Sequence, residues 1–473
     1  MGKQKMPVAT VGVIGLGAMG AALARNIASR SMHTAIYNRT YKKTKAFMME
    51  HGNEYLIPLK SLPAFVRSLQ RPRQILIMVP AGPAVEAVIH SLLPHLNRGD
   101  VIIDGGNSHY RDTQQRYLAL KKKGIHFVGC GVSGGEAGAL TGPSLMPGGN
   151  KAGWNIVKPL LQSIAAKDFA GKPCVTYVGN NGAGHYIKMV HNGIEYGIMQ
   201  LMAETYALLR NVYKREAPEI ADIFAAWNNK KLNSYLFEIA VPVLKQKDEK
   251  KGQCCLIYNI LDTASNKGTG KWASIDALDR GIAVPTITQA VYARYVSTEK
   301  QTRTRLNNTF PHTHPKGKTS QKTFVALLED ALYASIISTF AQGFDLIEKA
   351  AQEEGWDIDM AEVARIWEGG CIIRAKLLNV FHIHFKRHAG KHVFLIPAVT
   401  LLLKKHSPKL RQLVSEATSS AVPIPAFASS LFYFESMIEK QLPANMIQGL
   451  RDYFGAHTYE RIDAPGSFHT RWS

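Results

Sequence analysis

Between Val8 and about Val178, short β-branched runs alternate with helical pattern, whereas beyond Gly184 strand signals nearly vanish. The strand candidates are ATVGVIG, TAIYN, QILIMVP, DVIIDGG, IHFVG and CVTYVG, and each ends in Gly, Pro or Asn. That alternation predicts a parallel sheet with crossover helices. The Gly-rich stretch Gly179–Gly184 marks a boundary. After it, HYIKMVHNGIEYGIMQLMAETYALLRNVY reads as one long helix, with further helices over APEIADIFAAWNN, FVALLEDALYASIISTFAQGFDLIEKAAQEEG and MAEVARIWEGGCIIRAKLL. A chain of 473 residues exceeds one ordinary core. Three units are expected: an α/β domain over 1–180, a large all-α domain over 181–442, and a C-terminal tail over 443–473. Lys300 to Leu328 contains no Asp or Glu and is expected to be a loop. The tail is rich in aromatics and should pack on something rather than hang in water.

Gly15-Leu16-Gly17-Ala18-Met19-Gly20 follows the first strand and opens a helix. In that context the first glycine makes the tight turn, the second lets backbone approach a pyrophosphate, and the third lets helix and strand pack closely. The helix N-terminus adds free N–H groups and partial positive charge for phosphates. A Rossmann-like dinucleotide site is expected. The end of the second strand selects the cofactor. Where an NAD site places Asp or Glu, this chain has Asn38-Arg39-Thr40, with Lys42 and Lys43 just beyond. A carboxylate would repel a 2′-phosphate and an Arg would hold it, so the expected cofactor is NADP.

On the long helix, Lys188, His191, Asn192, Glu195 and Tyr196 fall at i, i+3, i+4, i+7 and i+8, and so share one face. The other faces are apolar, which predicts a largely buried helix. A stripe of Lys, Glu, His, Asn and Tyr is mixed for chemistry rather than solubility. Desolvation and cationic neighbours would lower the Lys188 pKa and make it a usable base. Lys plus Arg number 57 against 36 Asp plus Glu, a formal charge of +21. That excess favours anions, whether nucleic acid or a phosphorylated metabolite, or is simply a basic surface. Five cysteines, an odd count without metal-ligand spacing, fit a reducing compartment. The N-terminus shows no h-region, and Met6 stands where myristoylation takes Ser or Thr. No apolar run reads as long enough to span a bilayer, so a soluble, cytoplasmic protein is expected.

HYIKMVHNGIEYGIMQL resembles the signature helix of the 6-phosphogluconate dehydrogenases. IIDGGNSHYRDT, GVSGGEAGALTGPSLMPGG, KGTGKW and RDYFGAHTYER resemble further blocks of that family, in family order and spread over nearly the whole chain. The resemblance implies NADP-dependent oxidative decarboxylation of 6-phosphogluconate to ribulose 5-phosphate, a step of the pentose phosphate pathway. It makes Lys188 the general base and Glu195 the acid that protonates C1 of the enediol. Ser133, Gly134 and Gly135 match the loop near the substrate carboxylate. Asn107, His191 and Asn192 match residues that orient substrate and nicotinamide, and Val79 and Ala81 lie in the segment beside the cofactor. Tyr196, Lys267, Thr269 and Arg294 match ligands of the substrate phosphate. Arg451 and His457 match residues that reach a neighbouring subunit's site, which implies a homodimer with exchanged tails. The resemblance implies no metal.

This chain departs from the family at several places. Pro80 stands where Lys is frequent, Ile198 where Asp is, Glu368 where Arg is, and Gly17-Ala18 where Ala-Val is. None removes a residue with an implied chemical role. His384, His388 and His392 share a helical spacing, with His382 nearby, but Lys386, Arg387 and Lys391 among them would repel a cation, and a basic surface helix is expected. His312 and His314 are read as loop residues, and Cys254-Cys255 as thiols without a catalytic role. The acid-free Lys300–Leu328 segment lacks the interleaved aromatics of a nucleic-acid site. Two alternatives are a β-hydroxyacid dehydrogenase of the hydroxyisobutyrate type, whose chains end soon after the first helical bundle, and a non-enzymatic anion- or nucleic-acid-binding protein on a Rossmann scaffold.

Overall fold

Seven short strands form one sheet: β1 (Val11–Ile14), β2 (Thr34–Tyr37), β3 (Leu56–Pro58), β4 (Gln74–Ile77), β5 (Val101–Asp104), β6 (His126–Val132) and β7 (Leu145–Gly149). They are drawn from a computed structural model that describes residues 8–472 except 251, 253, 254, 266, 267, 316 and 318. The sheet order is β3-β2-β1-β4-β5-β6-β7, with the first six strands parallel. β1 and β5 are buried at every residue, because helices cover both faces of the sheet. The period of two divides their side chains. Val11, Val13, Leu76 and Ile103 join one apolar cluster, while Ile14, Ile75, Ile77 and Ile102 join the other. The connecting helices are α1 (Ala18–Ala28), α2 (Tyr41–His51), α3 (Leu62–Arg67), α4 (Pro83–Leu92), α5 (Tyr110–Lys122), α6 (Gly135–Thr141) and α7 (Lys151–Ile164).

The sheet differs from the expected one at its edges. β3 and β7 carry no clear strand signal, and β7 runs antiparallel to β6. LMPGG is a poor strand sequence; pairing with β6 and full burial hold it extended. CVTYVG is not a strand, and only Val175 bridges to Leu145.

The helical half comprises α8 (Ala183–Asn211), α9 (Ala217–Asn228), α10 (Tyr235–Lys245), α11 (Thr269–Asp279), α12 (Pro285–Thr298), α13 (Lys300–Thr309), α14 (Gln321–Glu354), α15 (Met360–Ile366), α16 (Leu377–Phe385), α17 (Pro397–Ser419) and α18 (Pro425–Ile438). Ile187, Val190, Ile194 and Leu201 of α8 are fully buried. Each contributes roughly 1.5–3 kcal/mol of hydrophobic stabilisation. α8 packs against both β6 and β7, and against α11, α12 and α14. The helix bearing the polar stripe thus lies at the junction of sheet and bundle. α14 is long and apolar enough by composition to cross a membrane, contrary to the expectation that no segment would be; 78% of its apolar window is buried inside the protein.

Three further expectations are corrected. Lys300–Thr309 is a helix, because the acid that pairs with it comes from elsewhere: Asp262 accepts from Lys300 Nζ at 2.6 Å and Arg303 Nη1 at 3.0 Å. The helix read through MAEVARIWEGGCIIRAKLL stops at Ile366, and its backbone turns aside at Gly369-Gly370, where the Gly370 carbonyl accepts from Ser144 N at 2.7 Å. α16 ends at Phe385, yet His388 N–H still donates to the His384 carbonyl at 3.0 Å and their rings stack with centroids 6.2 Å apart, so it is His392 that leaves the histidine face. His382 instead lies 3.0 Å from the buried Glu368 carboxylate, and His392 3.0 Å from Asp345. Cys254 lies outside the described residues. The tail forms α19 (Ala444–Gly455) and a hairpin of β8 (Tyr459–Glu460) and β9 (Ser467–Phe468). Buried Asp452 holds it together, accepting from Thr458 N, His469 Nδ1, Thr470 N and Trp472 Nε1 at 2.9–3.0 Å.

Candidate active site

The glycine turn after β1 is built for close approach. Gly15 has φ +97°, and a Cβ there would sit 2.3 Å from the Met78 carbonyl oxygen. α1 starts at Ala18 with Gly17 as N-cap and no side chain capping it. Its first N–H groups are therefore left for a ligand. Gly17, Ala18, Met19 and Gly20 form one wall of a cleft whose other walls include Val79, Pro80, Ala81 and Asn107. Leu16 N–H donates to Asn38 Oδ1 at 3.2 Å, and Asn38 Nδ2 donates to the Thr40 carbonyl at 3.2 Å. Asn38 thus shapes the turn and commits one of its two N–H groups there. Arg39, Thr40, Lys42 and Lys43 are exposed around it. This cradle fits a dinucleotide, and its unpaired cations fit a 2′-phosphate.

The polar stripe of α8 closes on itself. Lys188 is only 6% exposed. Its Nζ donates to Asn192 Oδ1 at 2.7 Å and lies 3.3 Å from His191 Nδ1. His191 Nδ1 is also 3.2 Å from Asn192 Oδ1 and 3.9 Å from Glu195 Oε2. On the other side of the ring, His191 Nε2 is 3.1 Å from Ser133 Oγ. Gly134 and Gly135, both with positive φ, turn the chain there into α6. Burial pushes the Lys188 ammonium below its ordinary value, opposed by the nearby Glu195 and Cys371. The cationic neighbours expected from the sequence are not the cause; desolvation alone lowers it. Burial, and next the Lys188 charge, push the His191 imidazole well down, so it is neutral. Burial raises the Glu195 carboxyl, opposed by Lys188 and Arg294. One helix face thus carries a base made easier to deprotonate and an acid made easier to keep protonated.

Next to Glu195 the site turns cationic. The Arg294 guanidinium lies 3.4 Å from the Tyr196 ring centroid. α11 begins at Thr269, and its first turn packs on the same ring: a Cβ at Gly270 would sit 2.5 Å from Tyr196. Tyr196, Thr269 and Arg294 therefore come together, as an anion site beside a helix N-terminus requires. Lys267 lies outside the described residues. Arg451 and His457 are exposed, and their contacts stay in the tail: Arg451 with Gln448, His457 with Phe454.

Two residues unnoticed in the sequence complete the walls. Trp367 packs edge-on against His191, with centroids 5.6 Å apart, and Ile372 N–H donates to Ser133 Oγ at 3.4 Å. Both belong to the segment misread as helix. Only the double glycine at Gly369-Gly370 signals it locally. Among the described residues, no group of His, Cys, Asp and Glu has the arrangement of a metal site.

The profile described as "6-phosphogluconate dehydrogenase, C-terminal domain" matches residues 184–472, and "NAD binding domain of 6-phosphogluconate dehydrogenase" matches residues 10–179. The chain is 47% identical to the decarboxylating 6-phosphogluconate dehydrogenase of Lactococcus lactis subsp. lactis, over 99% of both chains. It is also 47% identical to the NADP(+)-dependent, decarboxylating enzyme of Bacillus subtilis, over 98% of both. The solved Plasmodium falciparum 6-phosphogluconate dehydrogenase, studied with NADP+ and with its substrate 6-phosphogluconate, superposes with a TM-score of 0.94 at 40% identity. That match covers 98% of this chain and 100% of the other. With its sheet, buried lysine helix and tail all matched end to end, the chain belongs to the 6-phosphogluconate dehydrogenase family.

Proposed function

We infer that the protein catalyses the NADP-dependent oxidative decarboxylation of 6-phosphogluconate to ribulose 5-phosphate and carbon dioxide. The observation that carries this is the buried Lys188–His191–Asn192–Glu195 face, with Tyr196, Thr269 and Arg294 at one end. NADP, when bound, would supply the acceptor for the hydride from C3 of the substrate. Gly15 to Gly20, Val79, Ala81 and Asn107 would hold it, with Arg39 and Thr40 toward the 2′-phosphate. Neutral Lys188 takes the C3 hydroxyl proton as the C3–H electron pair leaves. The product is a β-keto acid, whose C1–C2 bond electrons flow toward the new carbonyl as carbon dioxide departs. Lys188, now charged, stabilises the enolate oxygen. Protonated Glu195 then delivers its proton to C1 of the enediol. Ser133, Gly134, Gly135, His191 and Asn192 orient the carboxylate end, and Tyr196, Lys267, Thr269 and Arg294 the phosphate end.

The shorter hydroxyisobutyrate-type architecture loses ground to relatives that match over 98–99% of both chains. The division into 1–180, 181–442 and 443–473 assigns cofactor, substrate and partner-reaching roles, and the change of family profile between residues 179 and 184 supports its first boundary. A homodimer with exchanged tails, each bringing Arg451 and His457 to the other site, is supported by the exposed Met446, Ile447, Leu450, Tyr453 and Phe454 of α19. A reducing, cytoplasmic setting fits the buried Cys130 and Cys174 thiols, which burial pushes up to about 12. The test is nicotinamide absorbance with 6-phosphogluconate and either NADP or NAD. Reduction of NADP is expected; none with either cofactor overturns the reading, and faster reduction of NAD overturns the role of Arg39.

A further inference from the structure

Three segments of the candidate site, far apart in sequence, meet on one carboxylate that the chemistry above does not use. Asp276 of α11 is 4% exposed. Its Oδ1 accepts from the Tyr110 hydroxyl at 2.7 Å, and its Oδ2 from the Tyr186 hydroxyl at 2.6 Å and Arg280 Nε at 2.8 Å. Tyr110 opens α5, three residues after Asn107. Tyr186 lies on α8, two residues before Lys188. Asp276 rides on the helix that begins at Thr269. The cofactor cleft, the base and the phosphate end are thus joined through two phenols and one acid.

The joint is closed and saturated. Burial first, and Asp276 next, raise both phenols, so each stays a hydrogen-bond donor. Arg280 Nη2 donates to the Tyr110 oxygen at 3.1 Å and to Glu354 at 2.8 Å, and Gln114 of α5 donates to the same Glu354 carboxylate at 2.8 Å. Beside it, the His109 ring meets Trp272 of α11 edge-on, with centroids 5.0 Å apart. A buried carboxylate with every partner in place resists rotation of one element against the others: Arg280 moves with α11, but any slip of α11 against α5 or α8 strips the carboxylate of its phenol donors.

We propose that Asp276 is a positioning residue: it fixes the Asn107 loop and the α11 N-terminus against the Lys188 helix, and so sets the distance over which hydride moves. The proposal rests on the function inferred above. Hydride transfer is steep in distance, and a misplacement of about 1 Å can cost on the order of 100-fold.

The test uses full-length Asp276→Asn and Tyr186→Phe proteins. Asparagine keeps the shape but loses one acceptor oxygen; phenylalanine removes one donor and leaves the carboxylate. Expected for Asp276→Asn are a fall in kcat of about 10- to 100-fold and a larger deuterium isotope effect on kcat with 3-deuterated substrate. Affinity for 2′,5′-ADP, read by calorimetry, is expected to stay unchanged. Without any ligand, amides at 110–116 and 269–275 exchange hydrogen faster. Tyr186→Phe shifts the same readouts in the same direction by less, and it decides alone if Asp276→Asn does not fold. Unchanged kcat and isotope effect overturn the proposal even if melting temperature falls, because the joint is then structural only. A wild type inactive on 6-phosphogluconate overturns the function itself; an active wild type with unaffected variants overturns this inference alone.

Discussion

Lys188 and Arg39 are the two cations on which the proposed chemistry leans, and the fold treats them oppositely. Lys188 is almost wholly buried, with its ammonium committed to Asn192 at 2.7 Å. Arg39 is exposed and has no hydrogen bond or ion pair to any described residue. In the first case the protein decides the charge state, since burial lowers the pKa and Glu195 opposes it. In the second, solvent and salt compete with the ligand for the cation. The lesson is that substitutions at the buried end should act on turnover, and those at the exposed end on affinity.

The largest expected effect is at the buried end. Lys188→Met should lower kcat by about 1,000-fold or more while 2′,5′-ADP still binds normally by calorimetry. A methionine variant within tenfold of wild type would erase the contrast. Glu195→Gln should cost about 100-fold in kcat, and it should also change the pH profile. Burial raises the Glu195 carboxyl, so its protonated form persists above the ordinary carboxylate range and is lost as pH rises further. That alkaline decline should be absent from the glutamine variant, and an unchanged profile would remove Glu195 as the acid.

At the exposed end, Arg39→Ala should raise the KM for NADP by about tenfold with kcat nearly constant, the difference shrinking as salt is added. A kcat effect instead would mean that the turn after β2 is not independent of the reacting centre. The smallest effect tests burial without chemistry. Glu204, also on α8, is 3% exposed and accepts from Gln200 Nε2 and from the Ala426 and Phe427 N–H groups at the start of α18. Burial raises it from 4.5 to about 7. A folded-state pKa above the unfolded one gives stability that is full below pH 4.5 and lost as pH rises through about 7. Glu204→Gln should therefore gain on the order of 1 kcal/mol over wild type at pH 8, and little at pH 5, in thermal melts. Equal shifts at both pH values would show that the hydrogen bonds, not the buried charge, dominate there.

What was legible in the sequence was local. The glycine turn from Gly15 to Gly20 and the stripe from Lys188 to Tyr196 are set by spacing within one element, and both lie where the pattern put them. β7 was not legible, because LMPGG becomes a strand only through its pairing with β6. Trp367 and Ile372 reach the site from a segment whose apolar spacing mimics a helix. The pairing of Asp276 with Tyr110 spans 166 residues, and no window of sequence contains both. The origin of the Lys188 shift was legible only in part, since counting nearby cations could not reveal that desolvation alone suffices.

α14 has a history as well as a place. It packs against α8, made long before it, and against α17, which does not yet exist when Glu354 is added. At about 5–20 residues per second, the wait for Pro397–Ser419 is on the order of several seconds. Through that interval the nascent chain displays a helix as apolar as a membrane span, with one flank bare. Yield in the cell should therefore depend on holding chaperones and on the pace of translation between α14 and α17, even if the finished fold is very stable.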